Sequence, residues 1–196
     1  IKELFGSGAV MVVSQQTYAI ELYFDEVASE KVRQLWSQVG AIASSMAKRV
    51  HSQPHLSLAV LPNADLQLLP SVLAEIAAHQ SSFEIQFSSL GLFSTGGGVV
   101  FLAPVVTTQL LELHKTVHRQ LHEIGSDAIA YYRPEAWVPH CTLARELSPP
   151  EVLRAVEVVR NSNPFFKAKV CGLGLVEAPP VRQICWCPFL PTGDRS

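Results

Sequence analysis

Alternation of hydrophobic and polar positions divides most of this chain into short strands and amphipathic helices. Thr17–Phe24 alternates with the two-residue period of a strand, and Asp25 can cap a helix that continues to about Val39. Further strands are predicted at Pro54–Ala59, Phe83–Phe93, Val99–Val105, Pro139–Ala144, Phe165–Val176 and Arg182–Phe189. Further helices are predicted from Asn63 or Asp65 to about His79, at Thr108–Ile124, and at Glu151–Arg160 after a capping box that begins at Ser148. Because strands and helices alternate, we predict an α+β protein.

Several of these segments repeat one another. Pro54–Ala59 (PHLSLA) returns as Pro139–Ala144 (PHCTLA), and Phe83–Phe93 (FEIQFSSLGLF) returns as Phe166–Val176 (FKAKVCGLGLV). A repeat of this length predicts two copies of one structural unit. We expect residues 1–16 to be an N-terminal extension, either native or left over from recombinant expression. Residues 17–196 then form a single domain of two lobes, about 17–98 and 99–190.

The repeated His-x-Ser/Thr segments carry the candidate chemistry. Alternate side chains of a strand share a face, so His55 and Ser57 lie together and Leu56 points to the other side. His140 and Thr142 repeat this arrangement. If an approximate twofold axis relates the lobes, both polar faces meet across one cleft. Two imidazoles can then serve as base and acid for a phosphodiester while two hydroxyls donate to the phosphate, and the local residues leave open which histidine is the base.

Charge and composition restrict the partners. The chain has a net charge of −2 and a pI near 6.4, so it lacks the excess of basic residues found in proteins that hold long duplex nucleic acid. A nucleotide or an RNA end is therefore the expected substrate. No apolar run approaches the roughly 20 residues that cross a bilayer, and the first residues do not form a signal peptide. We expect a monomer in the cytoplasm, with the nucleus left open, and no membrane partner.

Metal and cofactor sites are not predicted. His114, His118 and His122 recur with helical spacing, but Lys115 follows the first of them where a zinc protease motif has glutamate. A solvated or partly buried helix face explains this stripe. The four cysteines lack a paired C-x-x-C spacing and are expected to be reduced thiols of the core.

The duplicated motif resembles the two-histidine (2H) phosphoesterase superfamily, which includes bacterial 2′-5′ RNA ligase-like proteins and plant cyclic nucleotide phosphodiesterases. The resemblance covers about Thr17 to Phe189. It implies a bilobal, pseudo-twofold fold whose antiparallel sheets line a central cleft with helices packed outside. It also implies metal-independent action on 2′,3′-cyclic phosphates or 2′-5′ linkages, with His55 and His140 as base and acid and with Ser57 and Thr142 binding phosphate.

Aromatic residues near the second motif are candidates for base stacking. Members of the superfamily often carry an aromatic residue three positions before the histidine, and Trp137 fills that place before His140. Ser52 stands at the corresponding place before His55. Tyr132 lies in the segment ahead of the second motif, where a loop that contacts substrate would be useful.

Two other functions fit the same residues. The cleft could bind a nucleotide or an RNA end without turning it over, because a fold does not determine function. Alternatively, the protein could be a 3′-5′ RNA exonuclease, which resembles another branch of the superfamily. A panel of substrates separates these possibilities.

Overall fold

A computed structural model of the chain describes residues 16–42, 53–93 and 97–192. Residues 1–15 of the predicted extension, Ser52 and part of the glycine turn at 96–98 lie outside these ranges. The described residues form seven strands, four α-helices and a short 3-10 turn at Ala130–Tyr132. In chain order the strands and helices are β1 (Thr17–Phe24), α1 (Glu26–Gly40), β2 (His55–Leu61), α2 (Leu69–Ala78), β3 (Phe83–Phe93), β4 (Gly98–Pro104), α3 (Thr108–Glu123), β5 (Cys141–Leu147), α4 (Pro149–Asn161), β6 (Lys167–Ala178) and β7 (Arg182–Pro188).

All strand pairs are antiparallel, in the order β2-β1-β6-β3-β4-β5, with β7 also paired to β6. The predicted α+β class is therefore confirmed. Each sequence copy runs strand, helix, strand, helix, strand: β1 to β3 in the first copy and β4 to β6 in the second. The last strand of each copy pairs with the first strand of the other, since β3 pairs with β4 and β6 pairs with β1.

Helices from both copies cover the sheet in pairs. α1 packs with α4 against β4 and β5, while α2 packs with α3, and these two helices contact β6, β7 and β2. The core lies between the helices and the strands, where Leu56, Leu58 and Leu143 are completely buried. Within residues 16–42, 53–93 and 97–192, none of the four α-helices combines the length and the hydropathy of a membrane-spanning segment.

Local chemistry explains most element boundaries. The Asp25 carboxylate accepts the Ala28 N–H at 3.1 Å and begins α1 as predicted, and the Ser148 capping box begins α4. The predicted start of α2 was wrong, because the helix begins at Leu69. The Asp65 carboxylate instead accepts the N–H groups of Gln67 and Leu68 in a separate turn ahead of the helix.

Candidate active site

The two motifs occupy matching places in the sheet. His55 and Ser57 are the first and third residues of β2, and Thr142 is the second residue of β5. His140 directly precedes β5, which begins two residues later than predicted. All four side chains are partly accessible, whereas the residues between them, Leu56 and Cys141, are buried. The predicted separation of a polar face from a core face is therefore present in both copies.

Each motif strand contains a bulge at the same position. The pairing of β1 with β2 skips Leu58, the residue after Ser57, and the pairing of β4 with β5 skips Leu143, the residue after Thr142. An extra residue bends a strand and redirects its side chains, which is why bulges are frequent beside active sites. The two copies therefore share a backbone irregularity as well as a sequence motif.

Matching rows of three residues cross the sheet at these bulges. The rows are Gly174–Glu21–Ser57 on β6, β1 and β2, and Gly91–Phe101–Thr142 on β3, β4 and β5. A Cβ at Gly174 would collide with the Tyr23 ring, and a Cβ at Gly91 would collide with the Phe101 ring. The glycines of the repeated Leu-Gly-Leu segments are thus needed because aromatic rings lie across them.

Both motif histidines are held in the same tautomer. The Nδ1 atom of His55 lies 2.7 Å from the Gln53 carbonyl oxygen, and Nδ1 of His140 lies 2.7 Å from the Val138 carbonyl oxygen. A carbonyl only accepts hydrogen bonds, so Nδ1 carries the proton in both rings. Each Nε2 is therefore left to exchange a proton with another group.

Indole groups attach each motif strand to the other copy. Trp36 of α1 donates from Nε1 to the Thr142 carbonyl at 2.9 Å, and Trp137 donates from Nε1 to the Ser57 carbonyl at 3.0 Å. These bonds join the first copy to the second motif and the second copy to the first motif. The two motif strands, which also contact each other, are thereby each bonded to the other copy.

Tyr132 bridges the two motifs. Its hydroxyl group lies near the Ser57 side chain, and its ring centroid lies 6.4 Å from that of His140. Burial raises the pKa of this tyrosine, the nearby Glu21 carboxylate raises it further, and interaction with Ser57 lowers it. Tyr132 therefore stays protonated near neutral pH, beside groups of both copies.

His140 lies in an aromatic environment. The ring centroids of Phe93 and Phe101 lie 5.0 and 5.3 Å from its own. Burial lowers the pKa of His140, the Val138 carbonyl raises it, and the charge of His55 lowers it. The net effect is a lowered pKa, so the imidazole is neutral near pH 7 and its Nε2 can accept a proton.

His55 has a different neighbour that the sequence analysis missed. Glu21, only 7% exposed, places Oε1 3.3 Å from His55 Nε2, and its Oε2 accepts the Tyr23 hydroxyl at 2.8 Å. The available signal was a glutamate within the otherwise apolar and aromatic stretch Tyr18–Phe24. Its meaning depended on the pairing of β1 with β2, which local alternation does not specify.

Trp137 and two of the α3 histidines, His114 and His118, form a packed cluster beside the first motif and Tyr132. The Trp137 ring stacks on His114 with centroids 4.0 Å apart and planes 6° apart. His114 is 1% exposed and its Nε2 bonds to the Tyr132 carbonyl, while His118 Nε2 bonds to the Leu58 carbonyl. The histidine stripe is thus more buried than expected at His114, and it holds the Tyr132 turn and the residue after Ser57. Within the described residues, no cluster of potential metal ligands is present.

Comparison with known proteins identifies the family. The model of the 2′-5′ RNA ligase superfamily matches residues 24–179, which is most of the chain. The protein belongs to this superfamily. The predicted relationship to two-histidine phosphoesterases is thereby confirmed. A search of curated protein sequences finds no significant match.

Solved structures share the fold of this superfamily member. TT0787 of Thermus thermophilus superimposes with a TM-score of 0.63 at 16% identity, covering 90% of this chain and 99% of that one. LigT of E. coli in apo form gives 0.58 at 19% identity, with 89% and 98% covered. LigT complexed with 3′-AMP gives 0.59 at 18% identity over the same shares. At these identities the likeness concerns the fold.

Proposed function

We propose that this protein is a metal-independent phosphodiesterase that acts on 2′,3′-cyclic phosphates or on 2′-5′-linked nucleotide or RNA ends. The observation that carries the proposal is the pair of imidazoles, His55 and His140, with equivalent Nδ1–carbonyl bonds and with Tyr132 beside both motifs. Membership of the 2′-5′ RNA ligase superfamily supports phosphoesterase chemistry in general.

The proposed reaction uses the Nε2 atoms of both histidines. One neutral imidazole takes a proton from water while the water oxygen bonds to phosphorus. The bond from phosphorus to the ribose oxygen then breaks, and the other, protonated imidazole gives its proton to that leaving oxygen. Exchange with solvent returns both rings to their starting states. No further acid or base is required by this sequence of transfers.

Hydroxyl groups are proposed to bind the phosphate. Ser57 and Thr142 occupy matching row positions, one beside each histidine, so that they can donate to different non-bridging oxygens. Tyr132 can add a third donor, because its hydroxyl already contacts Ser57 and stays protonated. Donors held in place before the reaction stabilise charge that develops in the transition state.

A nucleotide fits this site better than a long nucleic acid. The related LigT was solved with 3′-AMP, and the net charge of −2 provides no general attraction for a duplex. Trp137 has one face covered by His114, so only its other face could stack on a base. Trp186 offers a second aromatic surface on the His55 side, because its ring is 44% exposed and lies 5.5 Å from Tyr23.

The experiment is a substrate panel combined with single histidine replacements. The wild-type protein is incubated with 2′,3′-cyclic nucleotides, 2′-5′ dinucleotides and 3′-5′ RNA, and products are separated chromatographically. We expect turnover of the first or second class, and a loss of at least about 100-fold in H55A and H140A, as for other general acids and bases. His122→Ala, at an exposed histidine of α3, is the matched control and should retain wild-type rates.

Three outcomes would overturn the proposal. Tight nucleotide binding with no product would favour a binding module. Stepwise shortening of 3′-5′ RNA alone would favour an exonuclease. Turnover that survives both histidine replacements would remove the two imidazoles from the chemistry.

A further inference from the structure

The two halves of the site are alike in backbone, and their rows differ in chemical class at the central position alone, since Ser57 and Thr142 both carry a hydroxyl. Glu21 lies between Gly174 and Ser57, where the other row has Phe101 between Gly91 and Thr142. The bulges fall at the same place in both, so the positions correspond residue by residue. A carboxylate on one side and a phenyl ring on the other therefore make two otherwise equivalent histidines chemically different.

The Glu21 carboxylate is paired with His55. A buried carboxylate is destabilising unless it is paired and hydrogen-bonded. Its Oε2 accepts a hydrogen bond from the Tyr23 hydroxyl, and its Oε1 lies 3.3 Å from His55 Nε2. Among the described residues, His55 is the one basic side chain that is paired with Glu21. The paired arrangement is complete only when the imidazole carries its second proton.

Other titratable groups around His55 do not supply that charge. Tyr23 lies edge-on to the His55 ring, and burial followed by the Glu21 charge raises its pKa, so it stays neutral. Tyr132 also stays protonated. Cys185 of β7 lies beyond Tyr23, and His140 faces His55 from ahead of β5 with a lowered pKa. Among these groups, His55 is therefore the one placed to share a proton with the Glu21 carboxylate.

We propose that Glu21 is a positioning residue that makes His55 the proton donor of the pair, so that His55 donates to the leaving oxygen and His140 accepts the proton of the nucleophile. This inference rests on the function proposed above. It assigns the two roles that the repeated sequence leaves open. Phe93 and Phe101 contribute from the other side, because they keep charge away from His140.

A change of leaving group tests this assignment. An ordinary ribose oxygen needs a proton as it leaves, whereas 4-nitrophenolate leaves without one. Glu21→Gln keeps the shape and an oxygen for the Tyr23 hydroxyl but removes the charge. We expect E21Q and H55A to lose at least about 10-fold in kcat on a cyclic nucleotide and much less on a 4-nitrophenyl phosphodiester of the same nucleoside. H140A should lose heavily on both substrates.

Matched variants separate this role from a structural one. Glu177→Gln removes another buried carboxylate, which lies away from the motifs and pairs with Arg182 at 2.6 Å. This variant should leave both rates near wild type. E21D keeps the charge and should lose less than E21Q. The alkaline limb of the pH–rate profile should move to lower pH in E21Q and stay in place in E177Q.

Failure of the inference differs from failure of the proposed function. If wild-type protein turns over the cyclic nucleotide but E21Q loses equally on both substrates, or if the alkaline limb does not move, Glu21 does not set the proton donor. If H140A rather than H55A loses little activity on the 4-nitrophenyl substrate, His140 is the proton donor and His55 is the base. Absence of wild-type turnover on every substrate overturns the proposed function itself.

Discussion

Trp36 and Trp137 make equivalent hydrogen bonds from non-equivalent places: one lies on α1 and the other in the loop before β5, yet each indole donates to the carbonyl beside the opposite motif. The bonded carbonyls belong to Thr142 and Ser57, whose side chains are the proposed phosphate ligands. A shift of either strand would move a hydroxyl and a histidine together. The indoles therefore connect the packing of the two copies to the geometry of the cleft.

Replacing either indole with a phenyl ring should destabilise the protein. W36F and W137F each remove a donor from a strand carbonyl, and we expect the free energy of unfolding to fall by about 1–3 kcal/mol in each case. Urea denaturation measures the change. W186F is the matched control, because Trp186 is an exposed indole. Equal stability of all three variants would show that these two bonds contribute nothing specific.

The Tyr132 hydroxyl should matter for rate more than for stability. Y132F removes the hydroxyl near Ser57, and with it one donor near the proposed phosphate position, while keeping the ring beside His140. We expect kcat/KM to fall by about 10-fold, with unfolding changed by less than about 1 kcal/mol. Steady-state kinetics of Y132F are compared with those of Y131F, which changes the exposed neighbouring tyrosine. A rate loss as large in Y131F would assign the effect to the turn as a whole.

The acidic limb of the pH–rate profile should lie below the ordinary histidine value. If His140 is the base, the rate rises as pH increases through its pKa. Burial lowers that pKa below 6.5, so the midpoint of the limb is expected below pH 6.5. F93A should admit water and move the midpoint upward, whereas L92A, at an exposed position, should not. A wild-type midpoint above 6.5 would contradict the burial effect.

His114 should make the fold sensitive to acid. Burial lowers its pKa to about 4 from the ordinary 6.5, so between these values the unfolded chain binds the additional proton. Stability is therefore complete above pH 6.5 and decreases as pH falls toward 4, by about 3 kcal/mol in total. Denaturation at several pH values should show a shallower decrease in H114Q. The exposed-site variant H122Q should keep the wild-type slope, and an unchanged slope in H114Q would remove this residue as the cause.

Local sequence pattern predicted the motifs but not their surroundings. His55 with Ser57 and His140 with Thr142 were placed on polar strand faces, because a period of two requires only the sequence itself. Glu21 was missed because its relation to His55 arises from strand pairing. Trp36 was missed for a similar reason, since its carbonyl partner lies more than 100 positions away in the chain.

The burial of His114 and the pairing of strands between the two copies could likewise not be predicted from the sequence pattern. His114 has the spacing of an amphipathic helix face, yet Trp137 and the Tyr132 turn cover it completely. The repeat predicted two lobes, but strand pairing mixes the copies, because β3 and β6 each complete a row begun by the other copy. Two similar copies can pair their strands within each copy or between the copies. Tertiary packing decides between these arrangements, and the local pattern does not show it.

Simultaneous contact of both imidazoles with one phosphate is the condition on which the proposed chemistry depends. NMR spectra of ¹⁵N-labelled histidine rings, recorded while 3′-AMP is added, measure it directly. We predict that the Nε2 resonances of His55 and His140 shift together with a single dissociation constant, and that both responses weaken together in S57A. Movement of only one resonance, or two different constants, would contradict a shared site.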